Sequence, residues 1–421
     1  TTNVAVDHNQ LTMEIMKKVA DKHDLVCLLH EKPFEGINGS GKHNNWSMIT
    51  DDGVNLLDPG KTPSENIQFL VFLMAVIKAV DEYADLLRIS VASAGNDHRL
   101  GANEAPPAVV SIFLGDELTE VLKSIENDTY FTSHGAVQMD IGATVLPHFV
   151  KDNTDRNRTS PFAFTGNKFE FRMLGSAASV ANPNIVLNTA VAEALDQFAK
   201  ELDGVAPEDM EHAVHELIKR AIKKHKRVIF NGNGYTDEWI EEAEKRGLYN
   251  LKSTPDALPM WIAQKNIDLF TKHSIFTSEE LHSRYEIWLE NYSKTINIES
   301  NTMVEMVQKD LLPSVMSYIE EIASTASLKA SVVPGITCES ETALITKLSE
   351  LQDAMTKGLE KLKSDTAKAR ATEDVLENAK LYQAEVLEDM EELRKSADAA
   401  ETLIPDDLLP YPTYGKLLFY I

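Results

Sequence analysis

Three short segments of this 421-residue chain hold the side chains that could carry out chemistry. They are centred on His43, on Arg99 with Glu104, and on Glu170 with Arg172. A histidine ring nitrogen and carboxylate oxygens can bind a divalent cation, whereas arginines pair with carboxylate or phosphate groups. These residue types would suit a site that holds a metal ion and an anionic substrate, but a solvated loop explains the segment of Arg99 and Glu104 equally well.

The glycine-rich segment at residues 36–42 permits two interpretations. Its sequence, GINGSGK, matches the loop that binds phosphates through backbone N–H groups. Such a loop continues with Ser or Thr and opens a helix, whereas His43 follows here and the residues after it predict a strand and a turn. In the second interpretation the glycines let the backbone approach a small ligand, and His43 binds a metal. A glycine-rich turn with a surface histidine also fits this segment taken alone.

The spacing of apolar residues predicts the elements that position these side chains. A capping box at Thr62 with Pro63 predicts the start of a long helix that ends near Leu87. Residues 168–172, KFEFR, alternate in polarity, which places Glu170 and its two flanking cations on one strand face. A surface strand with paired charges would show the same pattern. Further predicted elements are a buried strand at Leu25–Leu29, a hairpin of strands Trp46–Ile49 and Val54–Leu57, a helix at Leu118–Ile125, and a helix that Asn182 and Pro183 begin.

Composition narrows the class of protein. The chain has 41 Lys and Arg against 66 Asp and Glu, a net charge of −25, which argues against nucleic acid as a partner. Two cysteines give no disulfide framework and are typical of a reducing cytosol. The longest apolar run, Phe69–Ile77, is too short to cross a membrane. We therefore expect a cytoplasmic protein, and because the chain opens at Thr1 without Met we expect it to be part of a longer one.

The first segment resembles the KP-x-x-G-x-NGSG-x-H signature of glutamine synthetases, and its flanks resemble the type III, long-chain bacterial branch. The matching residues are Lys32, Pro33, Gly36, Asn38, Gly39, Ser40, Gly41 and His43. Arg99 followed by Glu104-Ala105-Pro106 is similar to the arginine and glutamate flap of that family, with four intervening residues rather than five. Asn157-Arg158-Thr159 and the later Glu170-x-Arg172 are similar to its phosphate arginine and its metal-glutamate and substrate-arginine pair.

The resemblance implies ATP-dependent ligation of ammonia to L-glutamate through a γ-glutamyl phosphate, with Mg or Mn, two or three ions per site. It assigns the metal to His43 and Glu170 and catalysis to Glu104 and Arg158. It implies that substrate is bound by Asn38, Gly39, Arg99 and Arg172, and nucleotide by Asn45, Ser47, Arg158 and Lys168. Relatives often carry a further arginine where this chain has Ala163. In the family, the remaining metal carboxylates lie before residue 1, so the isolated chain should bind metal poorly and have no activity.

The resemblance also implies the architecture. We expect an α+β fold: a curved antiparallel sheet or partial barrel with flanking helices, followed by an α-helical C-terminal extension. The expected regions are a catalytic part at 1–203 with an insertion at about 115–152, a helical region at 204–334, an antiparallel helical hairpin at 335–404, and a tail at 405–421. Family members form dodecamers of two stacked rings with active sites between subunits.

Other functions stay open at this point. Another carboxylate–amine ligase or a guanidino kinase of the same superfamily would need a similar set of residues. An inactive relative that only supports a ring is a possibility of a different class. Such proteins usually lose part of the site, whereas this chain has all of His43, Arg99, Glu104, Arg158, Glu170 and Arg172. The nucleotide-binding loop interpretation predicts that Lys42 is needed for ATP binding, whereas the glutamine synthetase resemblance predicts that it is not.

Overall fold

A computed structural model describes residues 2–30, 37, 39–101, 105–129, 138–139, 149–150 and 157–419. The chain divides into two compact units, one comprising Glu31–Trp288 and the other comprising Thr1–His30 with Leu289–Ile421. The boundaries that we predict after residues 203, 334 and 404 stay predictions. Within the described ranges, no helix combines the length and apolar character needed to cross a bilayer.

The strands of the first unit, Glu31–Trp288, are β1 Gly41–Trp46, β2 Ile112–Phe113, β3 Gln138–Met139, β4 Phe149–Val150, β5 Phe162–Phe164 and β6 Phe169–Gly175. Four of them form an open sheet with the order β1-β6-β5-β2. Strand β6 is antiparallel to both β1 and β5, and β2 is parallel to β5. Two further short strands, β3 and β4, pair with each other in a separate antiparallel ladder.

Helices make up most of the other regular structure described in this unit. They are α2 Ile67–Glu82, α3 Ala84–Ile89, α4 Ala94–Asp97, α5 Asp116–Glu126, α6 Ala181–Leu202, α7 Met210–His225, α8 Asp237–Lys245, α9 Thr254–Ala257 and α10 Gln264–Lys272, with 3-10 turns at Lys226–Val228 and Leu258–Ile262. Helix α2 packs against α6 and α7. Its apolar side meets the aromatic face of the sheet, where the rings of Phe69 and Phe164 lie 5.9 Å apart and those of Phe162 and Phe169 lie 4.8 Å apart.

The second unit is helical. Helix α11, Ser278–Met306, runs across the division between the units, and a π-helical turn at Val307–Leu311 leads from it into α12, Leu312–Val332. Helix α13, Glu339–Arg370, then packs against α15, Leu387–Glu401. The remaining elements are α1 Thr2–Asp21, α14 Val375–Leu381, a π-helical turn at Tyr382–Val386, and α16 Tyr414–Leu418.

The expected α+β fold with a helical extension is confirmed, and the sheet is a small open one. The antiparallel hairpin predicted from apolar spacing is formed by α13 and by α14 with α15. Its contact face includes Leu348, Leu359 and Leu393, which are at most 4% exposed. Helix α5 confirms the helix expected at Leu118–Ile125.

Three local predictions are wrong. Residues Leu25–Leu29 form no strand: Leu25 makes one bridge to Phe419, and its side chain is 40% exposed. The regular strand near Trp46 ends at that residue instead of beginning there, although a turn at Gly53 does bring Ile49 and Asn55 into a bridge. The helix expected from Thr62 begins at Ile67, because the Asn66 side chain accepts a hydrogen bond from the Phe69 N–H and caps it.

Candidate functional site

The pairing of β1 with β6 brings His43 to Glu170. Asn45 is directly opposite Glu170, and the register shifts between Lys42 and Asn44. The His43 Nδ1 atom lies 3.1 Å from Glu170 Oε1. The imidazole is 51% exposed and the carboxylate 10% exposed, so the histidine lies at the open side of the pair. The two predicted metal ligands therefore face the same point.

Arg172 holds the other oxygen of the same carboxylate. Its Nε and Nη2 atoms donate to Glu170 Oε2 at 2.9 and 2.6 Å, and its Nη1 donates to the Asn157 carbonyl at 2.6 Å. Both side chains are nearly buried, with Glu170 8% and Arg172 3% exposed. Of the alternative, a surface strand with paired charges, the pairing is observed, but the surface position is wrong because both side chains are buried. The two oxygens of Glu170 have separate partners, since Oε2 faces Arg172 and Oε1 faces His43.

The pKa of the Glu170 carboxyl is below that of an ordinary glutamate. Burial is the largest single influence and raises this pKa, because it disfavours the charged form. The hydrogen bonds and positive charge of Arg172, together with His43, outweigh burial and lower it. Glu170 is therefore a carboxylate at neutral pH, which is the form that binds a metal ion.

Arg99 lies behind the same strands. Its Nη1 atom donates to Asn96 Oδ1 at 3.1 Å and to the Met173 carbonyl at 3.2 Å, and its Nη2 donates to the Arg172 carbonyl at 3.3 Å. The guanidinium packs over Gly41, where an added Cβ atom would lie 2.0 Å from Nη2. The glycine is required here because a side chain would occupy the space that Arg99 fills.

The predicted nucleotide-binding residues lie along the outer part of the β1–β6 pair. Asn45 is exposed opposite Glu170. The Ser47 hydroxyl donates to Asn55 Oδ1 at 2.6 Å, and Lys168 is half-buried just before β6. Arg158 is exposed on the turn that follows Asn157. The hydrogen bond from Arg172 to the Asn157 carbonyl thus fixes this turn next to the buried ion pair.

Two of the predicted residues, Asn38 and Glu104, lie outside the described residues. Gly39 lies two residues before β1 and is half-buried. Ala163 is fully buried and lies directly opposite Glu170 on β5. The position where relatives often carry an arginine is therefore adjacent to the candidate metal ligand, and here it contributes no charge.

Three asparagines help to position the site, although the sequence predicted no role for them. Asn96 Nδ2 donates to the Val91 and Met173 carbonyls at 2.8 and 2.9 Å, which joins α4 to β6. The Asn44 side chain donates to Asn184 Oδ1 at 2.9 Å, which joins β1 to α6. Asn157, which the sequence motif contains but which had no assigned role, receives Arg172. The only sign of these positioning contacts in the sequence is the frequency of asparagine in and around the three segments.

The donor atoms of His43 and Glu170 fit one divalent cation. Ligands at right angles around an octahedral ion with bonds of about 2.1 Å lie about 3.0 Å apart, and His43 Nδ1 and Glu170 Oε1 are 3.1 Å apart. Among the described residues, no group of three or more His, Cys, Asp or Glu side chains forms a metal site. These two residues could thus supply part of a coordination shell, with an arginine beside it to bind an anion.

Two family models match separate segments of the chain. The model of the glutamine synthetase catalytic domain matches residues 1–110, and that of the glutamine synthetase C-terminal domain matches residues 213–329. A glutamine synthetase of Butyrivibrio fibrisolvens is 57% identical over 424 residues, covering 100% of this chain and 60% of that protein. A type-3 glutamine synthetase of Dictyostelium discoideum is 46% identical over 425 residues, covering 99% of this chain and 57% of that protein.

A glutamine synthetase of Bacteroides fragilis strain YCH46 is 38% identical and covers 99% of this chain and 58% of that protein. The fold and the site define an α+β protein in which the candidate cation-binding and anion-binding residues lie on one antiparallel strand pair. The chain belongs to the glutamine synthetase family, which confirms the resemblance seen in the sequence. It spans about three fifths of the length of the curated relatives that it matches.

Proposed function

We propose that this chain is part of a glutamate–ammonia ligase, which joins ammonia to L-glutamate and gives L-glutamine, ADP and phosphate. The observation that carries the proposal is the arrangement of His43, Glu170 and Arg172, in which one buried carboxylate faces an imidazole with one oxygen and a guanidinium with the other. The three relatives described above, all glutamine synthetases, support the same activity.

The arrangement is suited to activating a carboxylate. The γ-carboxylate of glutamate reacts poorly with ammonia, and its phosphorylation by ATP gives a γ-glutamyl phosphate that ammonia can attack. Phosphoryl transfer needs mainly the positioning of the reactants and the neutralisation of negative charge. A site that combines metal ligands with buried and exposed arginines provides both.

Divalent metal use is general in this family, and we propose Mg or Mn, two or three ions per site, held in part by His43 and Glu170. A bound divalent cation polarises phosphate oxygens and neutralises their charge. Because Arg172 binds Oε2 of Glu170, that carboxylate would hold the ion through Oε1. Two or three ions need carboxylate ligands beyond these two residues, and we propose that these come from outside the residues described here.

The arginines have separate roles in this proposal. Arg158, on the turn fixed by Arg172, neutralises the transferred phosphate. Arg99 and Arg172 bind the carboxylate groups of the substrate, together with Asn38 and Gly39. Since Arg99 and Arg172 are held by backbone carbonyls of β6 and of the Asn157 turn, their charges are fixed before substrate arrives, which reduces the entropic cost of binding.

The remaining assignments concern the nucleotide and the flap. Asn45, Ser47 and Lys168 contact the nucleotide from the outer part of the strand pair. Glu104 covers the site, excludes water from the acyl phosphate and accepts a proton from ammonium. We further propose a dodecamer of two stacked rings in which a neighbouring subunit completes each site.

The test is an assay of the complete protein. ATP, glutamate and ammonium are supplied with Mg or Mn, and glutamine and phosphate are measured together. Glutamine formation that depends strictly on ammonia supports the proposal, whereas turnover with other amines or with guanidino compounds but not ammonia contradicts it. The metal assignment is tested separately with His43→Ala, compared with His212→Ala, which alters an exposed histidine on α7.

Loss of His43 should raise the Mn concentration needed for half-maximal activity by at least about tenfold, and His212→Ala should leave it unchanged. Binding of Mn is followed independently by the electron paramagnetic resonance signal of the free ion. An unchanged Mn affinity and unchanged glutamine formation in His43→Ala would show that the metal assignment is wrong.

A further inference from the structure

A basic cavity lies apart from the candidate active site, between α5, α7 and the 3-10 turn after α7. Its volume is about 540 Å³. Six basic residues and one acidic residue, Glu126, line it, whereas the whole chain has 41 basic against 66 acidic residues. The basic residues are Lys123, Lys223, Lys224, Lys226, Arg227 and Arg246. Positive charge is thus concentrated here against the balance of the chain.

Four of these six cations already have an acidic partner. Lys226 pairs with Glu126 at 2.7 Å, Arg227 with Asp81 at 2.7 Å, Lys224 with Glu82 at 3.3 Å, and Arg246 with Glu242. Within the part of the chain that the structure describes, the ammonium groups of Lys123 and Lys223 form no ion pair. They come from two different helices, α5 and α7, and leave two positive charges available at the cavity rim.

The floor of the cavity is apolar. Leu122 and Ile222 are each 2% exposed and lie on the two facing helices, and Ile229 completes this surface. The neutral polar groups of the wall are already used. Asn231 Oδ1 accepts from the Leu114 and Gly115 N–H groups, and Asn231 Nδ2 donates to Thr119 Oγ1 at 2.8 Å. A ligand would therefore meet ammonium groups and apolar surface, with few other hydrogen-bonding partners.

We propose that this cavity binds a small organic anion, one that carries a phosphate or carboxylate group on an apolar or aromatic body. The volume lies within the range of sites for small molecules, about 300–1,000 Å³. Lysine ammonium groups bind phosphate as point charges without a fixed orientation. The anionic group would lie between Lys123 and Lys223, and the body would cover Leu122, Ile222 and Ile229.

One wall of the cavity is connected to the candidate active site. The Asn157 side chain donates to the backbone carbonyls of Asn231 and Gly232 at 3.2 and 2.6 Å. The Asn157 carbonyl in turn accepts from Arg172 at 2.6 Å. A ligand in the cavity would thus contact a segment that is two hydrogen bonds away from the Glu170–Arg172 pair.

The test uses pyridoxal 5′-phosphate as an aromatic phosphate probe of the complete protein. Its aldehyde condenses with a lysine amine to give an imine and water, and borohydride then reduces the imine to a stable secondary amine. The modified lysines are identified by mass spectrometry of peptides. Pyridoxal, which lacks the phosphate, serves as the control probe, and Lys200 and Lys245, both exposed and outside the cavity, serve as control lysines.

We expect Lys123 or Lys223 to be labelled roughly tenfold faster than Lys200 and Lys245. A charged cleft raises the local concentration of an anion by about 10- to 1,000-fold, and the expected ratio is the low end of that range. Pyridoxal should show no such preference, and excess pyrophosphate should remove it. In Lys123→Gln/Lys223→Gln, pyridoxal phosphate binding measured by calorimetry without borohydride should be lost, whereas Lys200→Gln/Lys245→Gln should retain it.

The proposal is overturned if all four lysines are labelled equally, or if calorimetric binding survives the Lys123→Gln/Lys223→Gln change. In that case the positive charges of Lys123 and Lys223 serve only to offset the negative ends of the two helix dipoles. The outcome does not depend on glutamine formation, because labelling reports on individual lysines. A failure of the ligase proposal would therefore leave this test unaffected.

Discussion

Replacing Arg172 with methionine should destabilise the protein strongly, because it leaves a buried carboxylate without its counter-ion. Arg172 is 3% exposed and donates three hydrogen bonds, two of them to Glu170, which is 8% exposed. After the change, the one polar contact that the described residues leave to this carboxylate is that with His43 at 3.1 Å. Removing one partner of a buried ion pair costs about 3–5 kcal/mol.

This cost should appear as a lower melting temperature. The unit that holds the pair runs from Glu31 to Trp288, and for a domain of such size each kcal/mol corresponds to about 2–4 °C, which gives roughly 6–20 °C in total. The measurement is scanning calorimetry of the complete protein at neutral pH without divalent metal. Arg220→Met is the matched control, since Arg220 is an exposed arginine paired with Glu201, and its loss should cost at most about 1 kcal/mol.

The double variant Glu170→Leu/Arg172→Met decides whether charge burial is the cause. Replacing both partners with apolar residues removes the unpaired charge, so the double variant should melt at a higher temperature than Arg172→Met alone. If the double variant melts below both single variants, the effects add independently. The two side chains would then not form the coupled buried pair on which the site depends.

Three further predictions concern Lys42, Gly41 and Tyr83. Lys42→Met should leave ATP affinity in a binding assay unchanged, because Lys42 lies in a strand and its Nζ donates to the Ala178 carbonyl at 2.6 Å; lost ATP affinity would restore the nucleotide-loop interpretation. Gly41→Ala should displace Arg99, cost about 1–3 kcal/mol by overpacking, and raise the KM for glutamate; an unchanged KM would remove Arg99 from substrate binding. Burial and nearby carboxylates raise the pKa of Tyr83 to about 12, so this phenol stabilises the native state fully below its ordinary pKa of about 10 and loses that contribution as the pH rises to about 12. Absorbance titration at 295 nm of the parent and of Tyr83→Phe should differ by one phenol that titrates near pH 12. A difference that titrates near pH 10 would contradict this prediction.

The sequence predicts the chemistry of the site better than its geometry. Strand alternation around Glu170 and the presence of His43 after a glycine turn follow from local residue types. Their contact does not, because it joins residues 127 positions apart and depends on the register of β1 against β6, including the shift between Lys42 and Asn44. Register follows from side-chain packing on both faces of the sheet, which a single sequence does not specify.

Local signals also compete with one another. Thr62 and Glu65 form a capping-box pattern, yet the helix begins after Asn66, whose side chain also satisfies the preference for a helix cap. The apolar run Leu25–Leu29 predicted burial, but a strand needs a neighbour, and Leu25 pairs only through one bridge to Phe419. In contrast, the hairpin of α13 and α15 was predictable because helical spacing is a local property repeated over many turns.

Whether His43 and Glu170 hold a metal ion together is decided by the position of that ion in crystals of the complete protein grown with Mn. An anomalous difference map recorded at the Mn absorption edge locates the ion without reference to the protein atoms. We predict a peak about 2.0–2.4 Å from a His43 ring nitrogen and from Glu170 Oε1, with Arg172 still bound to Oε2. A fully occupied Mn peak elsewhere, with His43 and Glu170 binding no ion, would contradict the account.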